Sequence, residues 1–437
     1  MWFEESVFYQ FYPLGVCGAP HENTGARVHA DITSLAGWIP HLQKLGVNAL
    51  YFSPLFESDT HGYDTRDYRK IDQRIGANED FAALCRAMHE ADIKVIVDGV
   101  FHHVGRGFWA FQDVKANREA SIYRDWFYTD FSRDSNYGDG FWYEGWEGHF
   151  ELVKLNLQNP AVIDYLLDTV RFWVEAFDID GLRLDVAYLL DHSFLARLRS
   201  LGESLKPDFL LAGELLHGDY NQFVSPSLLH TCTNYECYKG LYSSLNSLNL
   251  FEIAHSLKRQ FGAEPWALYR GKALFSFVDN HDVPRIASLL QNPDHLPLIY
   301  GLLFGMPGVP CLYYGSEWGM TGEKTDCDWG VRPQVDTPEW NRLTDVIAAM
   351  AHARRSSPAL QYGAYREVLL TNRQFIFERQ TDGQRILIAI NADSESYDAH
   401  FDAGCGRAVD LLTDTEHDFG GGSTLPACSV FFWECER

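Results

Sequence analysis

Residues 181–186 read Gly-Leu-Arg-Leu-Asp-Val, a short apolar run that carries two charged side chains. Its length and its apolar flanks predict a buried strand of a parallel sheet. Because side chains alternate along a strand, Arg183 and Asp185 should share one face, while the alternate positions from Leu182 to Val186 pack under a helix. On this stretch alone two explanations stay open for the charges: a buried ion pair, or a reactive group.

Other short apolar runs share this pattern, and longer amphipathic segments separate them. Such an alternation is typical of repeated βα units and a parallel sheet. We therefore predict a (β/α)8 TIM barrel over residues 1–357. Asp31 or Thr33 should cap its first helix, and residues 61–68 should form a loop. The predicted strands cover residues 6–12, 47–53, 93–100, 181–186, 209–213, 230–233, 273–278 and 309–314. The predicted helices cover residues 33–45, 79–91, 160–177, 193–205, 245–260, 296–304 and 339–354.

Two segments interrupt or follow the barrel pattern. Residues 101–158 lack clear periodicity and are rich in aromatic residues, Gly and Asp, which predicts a subdomain inserted after the third strand. Within it, Trp142, Trp146 and Phe150 form either a small core or a sugar-stacking surface. From 358 to 437, alternating strand-like runs and Gly-rich turns predict a C-terminal antiparallel domain that resembles a β-sandwich.

Composition limits the classes of partner and the compartment. The chain has 437 residues, a formal net charge of -24 and an aromatic content of 14%. The negative field argues against nucleic acid and anionic membranes as partners, and the aromatic content suits a neutral ligand. Nine cysteines, Cys327 among them, are scattered without a Cys-x-x-Cys pair, so we expect neither a disulfide framework nor a zinc site. Without a leader-like start or a long apolar run, we expect a cytoplasmic protein.

Charged and polar side chains collect where the predicted strands end. In a barrel, the carboxyl ends of all strands open at one mouth, so these residues should lie together. A lone acid at a strand end is more often a helix cap or part of a loop ion pair, but four strand ends with such groups favour one shared site. They are Asp98, His102 and His103 after the third strand, Arg183 and Asp185 on the fourth, Glu214 after the fifth, and His281 and Asp282 after the seventh.

The chemistry of the predicted site follows from its side chains. Three carboxylates stand there without a cysteine, a phosphate-binding Gly loop or a zinc motif. Such a set suits glycoside hydrolysis, in which one carboxylate attacks the sugar carbon and another protonates the departing oxygen. The histidines and the arginine would hold hydroxyl groups and control charge.

Four ordered segments resemble the signature regions of the α-amylase superfamily, glycoside hydrolase family 13. They are Asp-Gly-Val-Phe-His-His (98–103), Gly-Leu-Arg-Leu-Asp-Val-Ala (181–187), Gly-Glu (213–214) and Phe-Val-Asp-Asn-His-Asp (277–282). Further matches at 46–54, 155–160 and 308–317 extend the resemblance along the whole barrel. The resemblance implies Asp185 as nucleophile, Glu214 as general acid/base, and Asp282 as a third carboxylate that binds sugar hydroxyls and favours ring distortion.

The same resemblance implies residues that bind the substrate. His103 and His281 would contact the sugar in the subsite before the cut, and Tyr63 would stack under that sugar. His61 is expected among the substrate-binding residues as well.

Supporting roles and the absence of a metal follow from the same comparison. Arg183 would keep Asp185 ionised, and Asp98 would support that arginine rather than react. His102 stands where many members of the superfamily have an Asn that helps to bind calcium. Because imidazole is a poor ligand for a hard cation, we expect no calcium at this position and no cofactor.

Two finer matches point to a subgroup. Residues 153–156, Val-Lys-Leu-Asn, and residues 108–114 resemble segments of neopullulanases, cyclomaltodextrinases and maltogenic amylases. Members of that subgroup usually carry an extra N-terminal β domain that supports dimerisation, whereas this chain begins almost at its first predicted strand. The oligomeric state and the activity on cyclodextrins therefore stay open.

The resemblance implies a retaining hydrolase of α-1,4 bonds in maltooligosaccharides and related α-glucans, acting through a covalent glycosyl-enzyme. A transglycosylase or an α-1,6-acting glucosidase remains an alternative, because water and sugar acceptors meet the same intermediate. A non-catalytic carbohydrate-binding protein is the other alternative. It is the less expected one, since all three carboxylates are present.

Overall fold

The computed structural model describes residues 1–26, 31–325 and 328–436, and its centre is a sheet of eight parallel strands. Each strand lies within one of the eight predicted ranges, and the predicted TIM barrel is confirmed. Cys327 lies outside the described residues, and so does Arg437, which is the predicted end of the C-terminal domain. The barrel strands are β1 (Phe8–Phe11), β2 (Ala49–Phe52), β3 (Lys94–Gly99), β4 (Gly181–Leu184), β5 (Leu210–Gly213), β6 (Thr231–Cys232), β7 (Phe275–Phe277) and β8 (Val309–Tyr313).

The ring of strands is nearly closed, and its seam lies between β6 and β7. The strands follow the order β6-β5-β4-β3-β2-β1-β8-β7 around the sheet. A single parallel bridge between Thr233 and Phe275 joins the two ends. The amide of Asn234 donates to the Phe275 carbonyl at 2.8 Å, just beyond the end of β6.

Register places the charged residues of neighbouring strands side by side. Arg183 on β4 is opposite Asp98 on β3 and opposite Ala212 on β5. Glu214 directly follows the last residue of β5, and its amide donates to the Leu184 carbonyl at 2.9 Å. Parallel pairing therefore brings these side chains to the same end of the barrel.

Helices cover the outside of the barrel. The longest, Pro160–Phe177, starts with Pro160 at a position where a missing N–H costs no hydrogen bond, and the Asn159 side chain caps it by accepting from the Ala161 amide. None of the helices in the described ranges is both long and apolar enough to cross a membrane. The main helices are Ile39–Leu45, Asn78–Glu90, Pro160–Phe177, His192–Leu205, Tyr235–Asn246, Phe251–Phe261, Leu296–Gly305 and Arg342–Ser356.

Two helix predictions need correction. The predicted helix 33–45 begins as a 3₁₀ helix, Ile32–Trp38, and becomes α-helical at Ile39–Leu45, because Pro40 has no N–H to continue an α-helical ladder across the junction. Asp31 does cap its start, accepting from the Thr33 amide at 2.9 Å. The predicted helix 245–260 is wrong as one element. It is split into Tyr235–Asn246 and Phe251–Phe261, since Leu248 between them has a left-handed backbone with φ of 49°.

The predicted loop 61–68 is partly a strand. Residues Thr65–Ile71 form a β-strand that pairs with Phe56–Ser58 in an antiparallel hairpin. Thr65, Tyr68 and Ile71 are buried along it, so every third residue rather than every second is inside. Because the sequence analysis looked for buried residues at every second position, it did not identify this strand.

The insertion after β3 contains a small sheet and a helix. His103–Gly105 pairs with His149–Lys154, which pairs in turn with Gly145–Trp146. The helix Trp109–Asn117 packs Phe111 against aromatic residues of the insertion, including Tyr143 at a ring distance of 4.8 Å. These contacts form a compact aromatic core within the insertion.

The C-terminal part forms the predicted antiparallel sheet. One face contributes Phe377 and Ile388 to the core shared with the barrel, and the other buries Leu387 and Trp433 in a separate cluster. Arg379 on this sheet donates to the Gly305 carbonyl of the barrel at 2.9 Å. The strands of the sheet are Ala364–Leu370, Gln374–Gln380, Arg385–Asn391, Ser429–Cys435, Arg407–Asp410 and Thr415–Asp418, and Tyr397–Ala399 pairs separately with Ser423–Leu425.

Candidate active site

Arg183 is the centre of the charged cluster at the carboxyl ends of the strands. Its Nη1 lies 3.0 Å from both carboxylate oxygens of Asp98 and 3.0 Å from Oδ1 of Asp185. Its Nη2 lies 2.8 Å from Oε1 of Glu214. One buried guanidinium therefore binds three carboxylates, with Asp185 and Glu214 on different nitrogens.

Asp98 lies behind the cluster rather than at its surface. It is buried, accepts a hydrogen bond from the Tyr51 hydroxyl at 2.9 Å, and is not among the residues that line the cavity described below. Burial raises the pKa of Asp98 to about 7, against the opposing effect of Arg183. Asp98 thus fixes the position of the arginine from the β3 side.

Asp185 and Glu214 are held by the backbone as well as by Arg183. The Asp185 amide donates to the Gly99 carbonyl at 3.2 Å, and the Val186 amide donates to Oε2 of Glu214 at 3.0 Å. Burial raises the pKa of Asp185 to about 7 and raises that of Glu214, while the positive charge of Arg183 lowers both. A buried carboxyl group that keeps its proton near neutral pH can serve as a general acid.

Val186 departs from the predicted alternation. Its φ is 39°, a left-handed conformation that β-branched residues rarely adopt, and its side chain lines the cavity instead of packing outward under a helix. The prediction for Val186 is therefore wrong, because β4 ends at Leu184 and the chain turns immediately after Asp185. Strained backbone of this kind clusters at functional sites.

Asp282 is held by Arg332 and by His281. Arg332 Nη2 lies 3.0 Å from Oδ1 of Asp282, and His281 Nε2 lies 3.0 Å from its Oδ2. Burial acts to raise the pKa of Asp282, but the positive charges around it, Arg332 among them, lower it on balance. Asp282 is therefore the most readily ionised of the three carboxylates facing the cavity.

His281 is fixed on both sides of its ring. Gln10 Nε2 approaches its Nδ1 at 2.6 Å, and the Tyr63 hydroxyl is hydrogen-bonded to its Nε2. The rings of Tyr63 and His281 stack with centroids 5.7 Å apart. Burial lowers the pKa of His281 to about 3, so the imidazole is neutral at ordinary pH.

One cavity of about 660 Å³ joins most of the predicted residues. Asp185, Glu214 and Asp282 line it together with His61, Tyr63 and His103. Arg183, His281 and Asp98 do not line it but support residues that do.

His103 faces the cavity with an unused polar atom. Its buried Nε2 makes no hydrogen bond within the described residues and lies 3.9 Å from Oδ2 of Asp185. Burial lowers the pKa of His103, so a neutral imidazole faces the cavity with a nitrogen available to a ligand.

His102 contacts the neighbouring imidazole of His103. Nδ1 of His102 lies 3.2 Å from Nδ1 of His103, and burial lowers the pKa of His102 to about 4. Within residues 1–26, 31–325 and 328–436, no group of three or more His, Cys, Asp or Glu side chains is placed to hold a metal ion. A hard cation needs several oxygen ligands, which this pair of imidazoles does not supply.

The sequence missed several residues that shape the cavity. Arg332 follows β8 in a stretch without a motif, and only the fold brings it to Asp282. Tyr235 lines the cavity and accepts a hydrogen bond from Asn280 Nδ2 at 3.0 Å. Its place directly after the end of β6 was a signal that could have identified it. Trp329 also lines the cavity, stacked on His21 with ring centroids 4.0 Å apart.

The aromatic residues of the insertion divide between the two predicted roles. Trp146 lines the cavity, whereas the Trp142 ring lies over Arg133 at 4.5 Å. Phe150 packs edge-to-face on Tyr143 at 5.5 Å within the core of the insertion. The core interpretation is therefore confirmed for Phe150, and a sugar-stacking role for Trp146 stays a prediction.

Comparisons of the sequence with a family model and with curated proteins point to the same family. The family model described as "Alpha amylase, catalytic domain" matches residues 19–357. A maltogenic alpha-amylase of Bacillus acidopullulyticus is 30% identical over 97% of this chain and 76% of its own length. Neopullulanase 2 of Thermoactinomyces vulgaris is 33% identical over 90% of this chain and 70% of its own length.

A solved structure extends the agreement to the whole described fold. The ligand-free cyclic alpha-maltosyl-(1→6)-maltose hydrolase of Arthrobacter globiformis has a TM-score of 0.84 and 26% identity, with 100% of each chain covered. The barrel, the three carboxylates at its mouth and these relatives agree with the resemblance predicted from the sequence. The chain belongs to the α-amylase family, glycoside hydrolase family 13.

Proposed function

We propose that this protein is a retaining α-glucan hydrolase that cleaves α-1,4 bonds of maltooligosaccharides through a covalent glycosyl-enzyme. The observation that carries the proposal is the sharing of Arg183. Its two terminal nitrogens bind Asp185 and Glu214 separately, at 3.0 and 2.8 Å, and both carboxylates face one cavity. A retaining glycosidase needs its two carboxyl groups beside one glycosidic bond, about 5–5.5 Å apart, and a guanidinium that binds both supports such an arrangement.

The reaction divides into two displacements. Asp185 attacks the anomeric carbon as the glycosidic C–O bond breaks, and Glu214 gives its proton to the departing oxygen. Glu214, now ionised, takes a proton from water, the water oxygen bonds to the anomeric carbon, and the Asp185–sugar bond breaks. The enzyme then returns to its starting protonation state.

Electrostatics supports this assignment of roles. Burial raises the pKa of Glu214, which is the direction that a general acid requires. Asp185 must be ionised to attack, and Arg183 opposes the burial that raises its pKa to about 7. We therefore expect activity to fall as the pH drops below about 7, because Asp185 becomes protonated.

The remaining residues would bind the sugar whose bond is cleaved. Tyr63 stacks under the ring, and Asp282 accepts from its hydroxyl groups while Arg332 keeps that carboxylate ionised. His61 and His103 line the same cavity and would donate to or accept from further hydroxyls. The proposal also includes a cytoplasmic location, which cell fractionation tests.

The test of the mechanism is the anomeric form of the first product. NMR during cleavage of an α-linked oligosaccharide should show the α-anomer before mutarotation, and an initial β-anomer would contradict retention. Asp185→Asn and Glu214→Gln should each abolish turnover in folded protein. The matched control is Asp72→Asn, which removes one partner of a buried ion pair with Arg74 at 2.7 Å, outside the cavity. It should lower stability and leave turnover per folded molecule unchanged.

A second candidate is action on α-1,6 bonds or transfer to sugar acceptors. The observation that favours it is the structural relative from Arthrobacter globiformis, a hydrolase whose name includes a (1→6) linkage. Product profiles on maltotriose, pullulan and β-cyclodextrin, resolved by chromatography, separate these activities. Binding without any product would instead support a non-catalytic carbohydrate-binding protein.

A further inference from the structure

Two neighbouring histidines meet at the mouth of the barrel through the same ring atom. Nδ1 of His102 lies 3.2 Å from Nδ1 of His103, and the ring planes are inclined at 76° with centroids 5.5 Å apart. Both side chains are buried, but His103 lines the cavity and His102 does not. Any influence of His102 on a bound ligand must therefore pass through the ring of His103.

The backbone holds the two rings in this arrangement. His103 begins the strand His103–Gly105, where it pairs with Lys154, and the Leu155 amide donates to the His102 carbonyl at 2.9 Å. Burial lowers the pKa of His102 to about 4 and also lowers that of His103. Both rings are therefore neutral at ordinary pH, and each carries one N–H and one acceptor nitrogen.

A contact between two Nδ1 atoms allows only one proton between them. If both atoms carried a proton, the two N–H groups would collide, and if neither did, two lone pairs would face each other in a buried site. One ring must therefore donate and the other accept. Because a neutral imidazole has one N–H, the role of Nδ1 in His103 decides whether its Nε2 presents a proton or a lone pair to the cavity.

Asp185 determines which of the two arrangements is favoured. Its Oδ2 lies 3.9 Å from Nε2 of His103, and that buried Nε2 makes no hydrogen bond within the residues that the structure describes. An ionised carboxylate at this distance repels a lone pair on Nε2 and attracts an N–H. The shared proton therefore belongs on Nδ1 of His102, and His103 keeps its own proton on Nε2.

We propose that His102 is a positioning residue that donates from its Nδ1 to Nδ1 of His103 and so keeps the proton of His103 on Nε2, facing Asp185 and a hydroxyl of the bound sugar. This inference rests on the proposed function. The Nε2–H stabilises the ionised nucleophile and donates to the substrate, and the other tautomer of His103 can do neither. Without the donor on His102, His103 exchanges between its tautomers, and only a fraction of the enzyme molecules is competent at any moment.

The test measures the tautomer directly by NMR. In protein with isotope-labelled histidines, long-range proton–nitrogen correlations distinguish protonated from unprotonated ring nitrogens, and the signals of His103 are identified by their loss in His103→Gln. The wild type should show His103 protonated on Nε2 and His102 protonated on Nδ1. His102→Phe keeps a ring but removes the donor, so part of the His103 population should change to the Nδ1-protonated form, and kcat/KM on maltotriose should fall about tenfold per folded molecule. His102→Asn places an amide N–H near the former Nδ1 and should restore most of the loss.

His295→Phe is the matched control, because His295 is also buried and its Nε2 donates to the Ala392 carbonyl at 3.0 Å, outside the cavity. It should lower the melting temperature and change neither the tautomer of His103 nor turnover per folded molecule. A wild-type His103 protonated on Nδ1 overturns the inference while the proposed function stands. So does a folded His102→Phe variant in which either the tautomer of His103 or the turnover is unchanged. If the wild type cleaves neither maltotriose nor pullulan, the proposed function fails and the inference with it, whichever tautomer is found.

Discussion

Replacing Arg183 with lysine tests whether this arginine has a catalytic role or only a structural one. Arg183 makes hydrogen bonds to Asp98 and Asp185 through Nη1 and an ion pair with Glu214 through Nη2. A lysine keeps the charge but is a point donor on a flexible stem, so it cannot hold all three carboxylates in this geometry. We expect Arg183→Lys to remain largely folded and to lose most of its turnover.

The size of the effect follows from the bond that Asp185 loses. A hydrogen bond to a charged group contributes about 1.5–3 kcal/mol, and one pKa unit corresponds to about 1.4 kcal/mol. Losing that bond raises the pKa of Asp185 by about one to two units above its value of about 7. The acidic limb of the pH–rate profile should therefore move upward to about pH 8–9, and turnover at pH 7 should fall about 5- to 50-fold.

The assay is kcat/KM on maltotriose from acidic to alkaline pH, with circular dichroism to measure the folded fraction. Arg354→Lys is the matched control, because Arg354 is also buried and donates to the carbonyls of Glu4 and Gly308 at 2.8 and 2.7 Å, outside the cavity. The control should lower the melting temperature without moving the acidic limb. A folded Arg183→Lys variant with near-normal turnover and an unmoved limb would return Arg183 to a structural role.

The remaining predictions concern stability, the third carboxylate and metals. The fold raises the pKa of Asp185 from 3.8 to about 7, so the native state binds this proton more tightly than the unfolded state and gains stability as the pH falls between these values. Asp185→Asn should therefore melt at a higher temperature than the wild type at pH 8, and the difference in melting temperature should narrow as the pH falls from about 7 to 3.8. A difference in melting temperature that does not change with pH would contradict this. Arg332→Gln leaves Asp282 without its guanidinium, so the pKa of Asp282 should rise and kcat should fall about tenfold in folded protein, as a pH–rate profile would show. Dialysis against EDTA should leave activity intact, because the imidazole of His102 is a poor ligand for calcium, and loss of activity that calcium restores would refute this.

Much of the barrel was predictable because its signals are local. Each barrel strand is a short apolar run, and Asp98, Arg183, Asp185 and Glu214 sit at or just after the end of one. Once the strands are parallel, their carboxyl ends meet, so Asp98, Arg183 and Glu214 had to converge. The family signatures then implied the roles without any knowledge of distances.

What the sequence did not reveal depends on backbone geometry and on long-range contacts. Val186 was assigned to the outer face because alternation assumes that the strand continues, whereas a left-handed φ turns its side chain to the cavity. Arg332 reaches Asp282 from 50 residues away along the chain, and no local pattern encodes that approach. Trp142 and Trp146 look alike in sequence, and only the pairing of the insertion strands distinguishes them.

The seam between β6 and β7 gives the barrel a weak point in its resistance to local opening. Neighbouring strands elsewhere in the ring pair over continuous ladders. Here the ring is closed by the Thr233–Phe275 bridge, the bond from the Asn234 amide, and a hydrogen bond from the Thr231 hydroxyl to the Ala273 carbonyl at 2.6 Å. Breaking few hydrogen bonds costs less free energy than opening a full ladder, so transient fluctuations of the native barrel should start at this seam. The Asn234 amide should then exchange with deuterium well before the amides of β3 and β4, and strain introduced anywhere around the ring would be released there first.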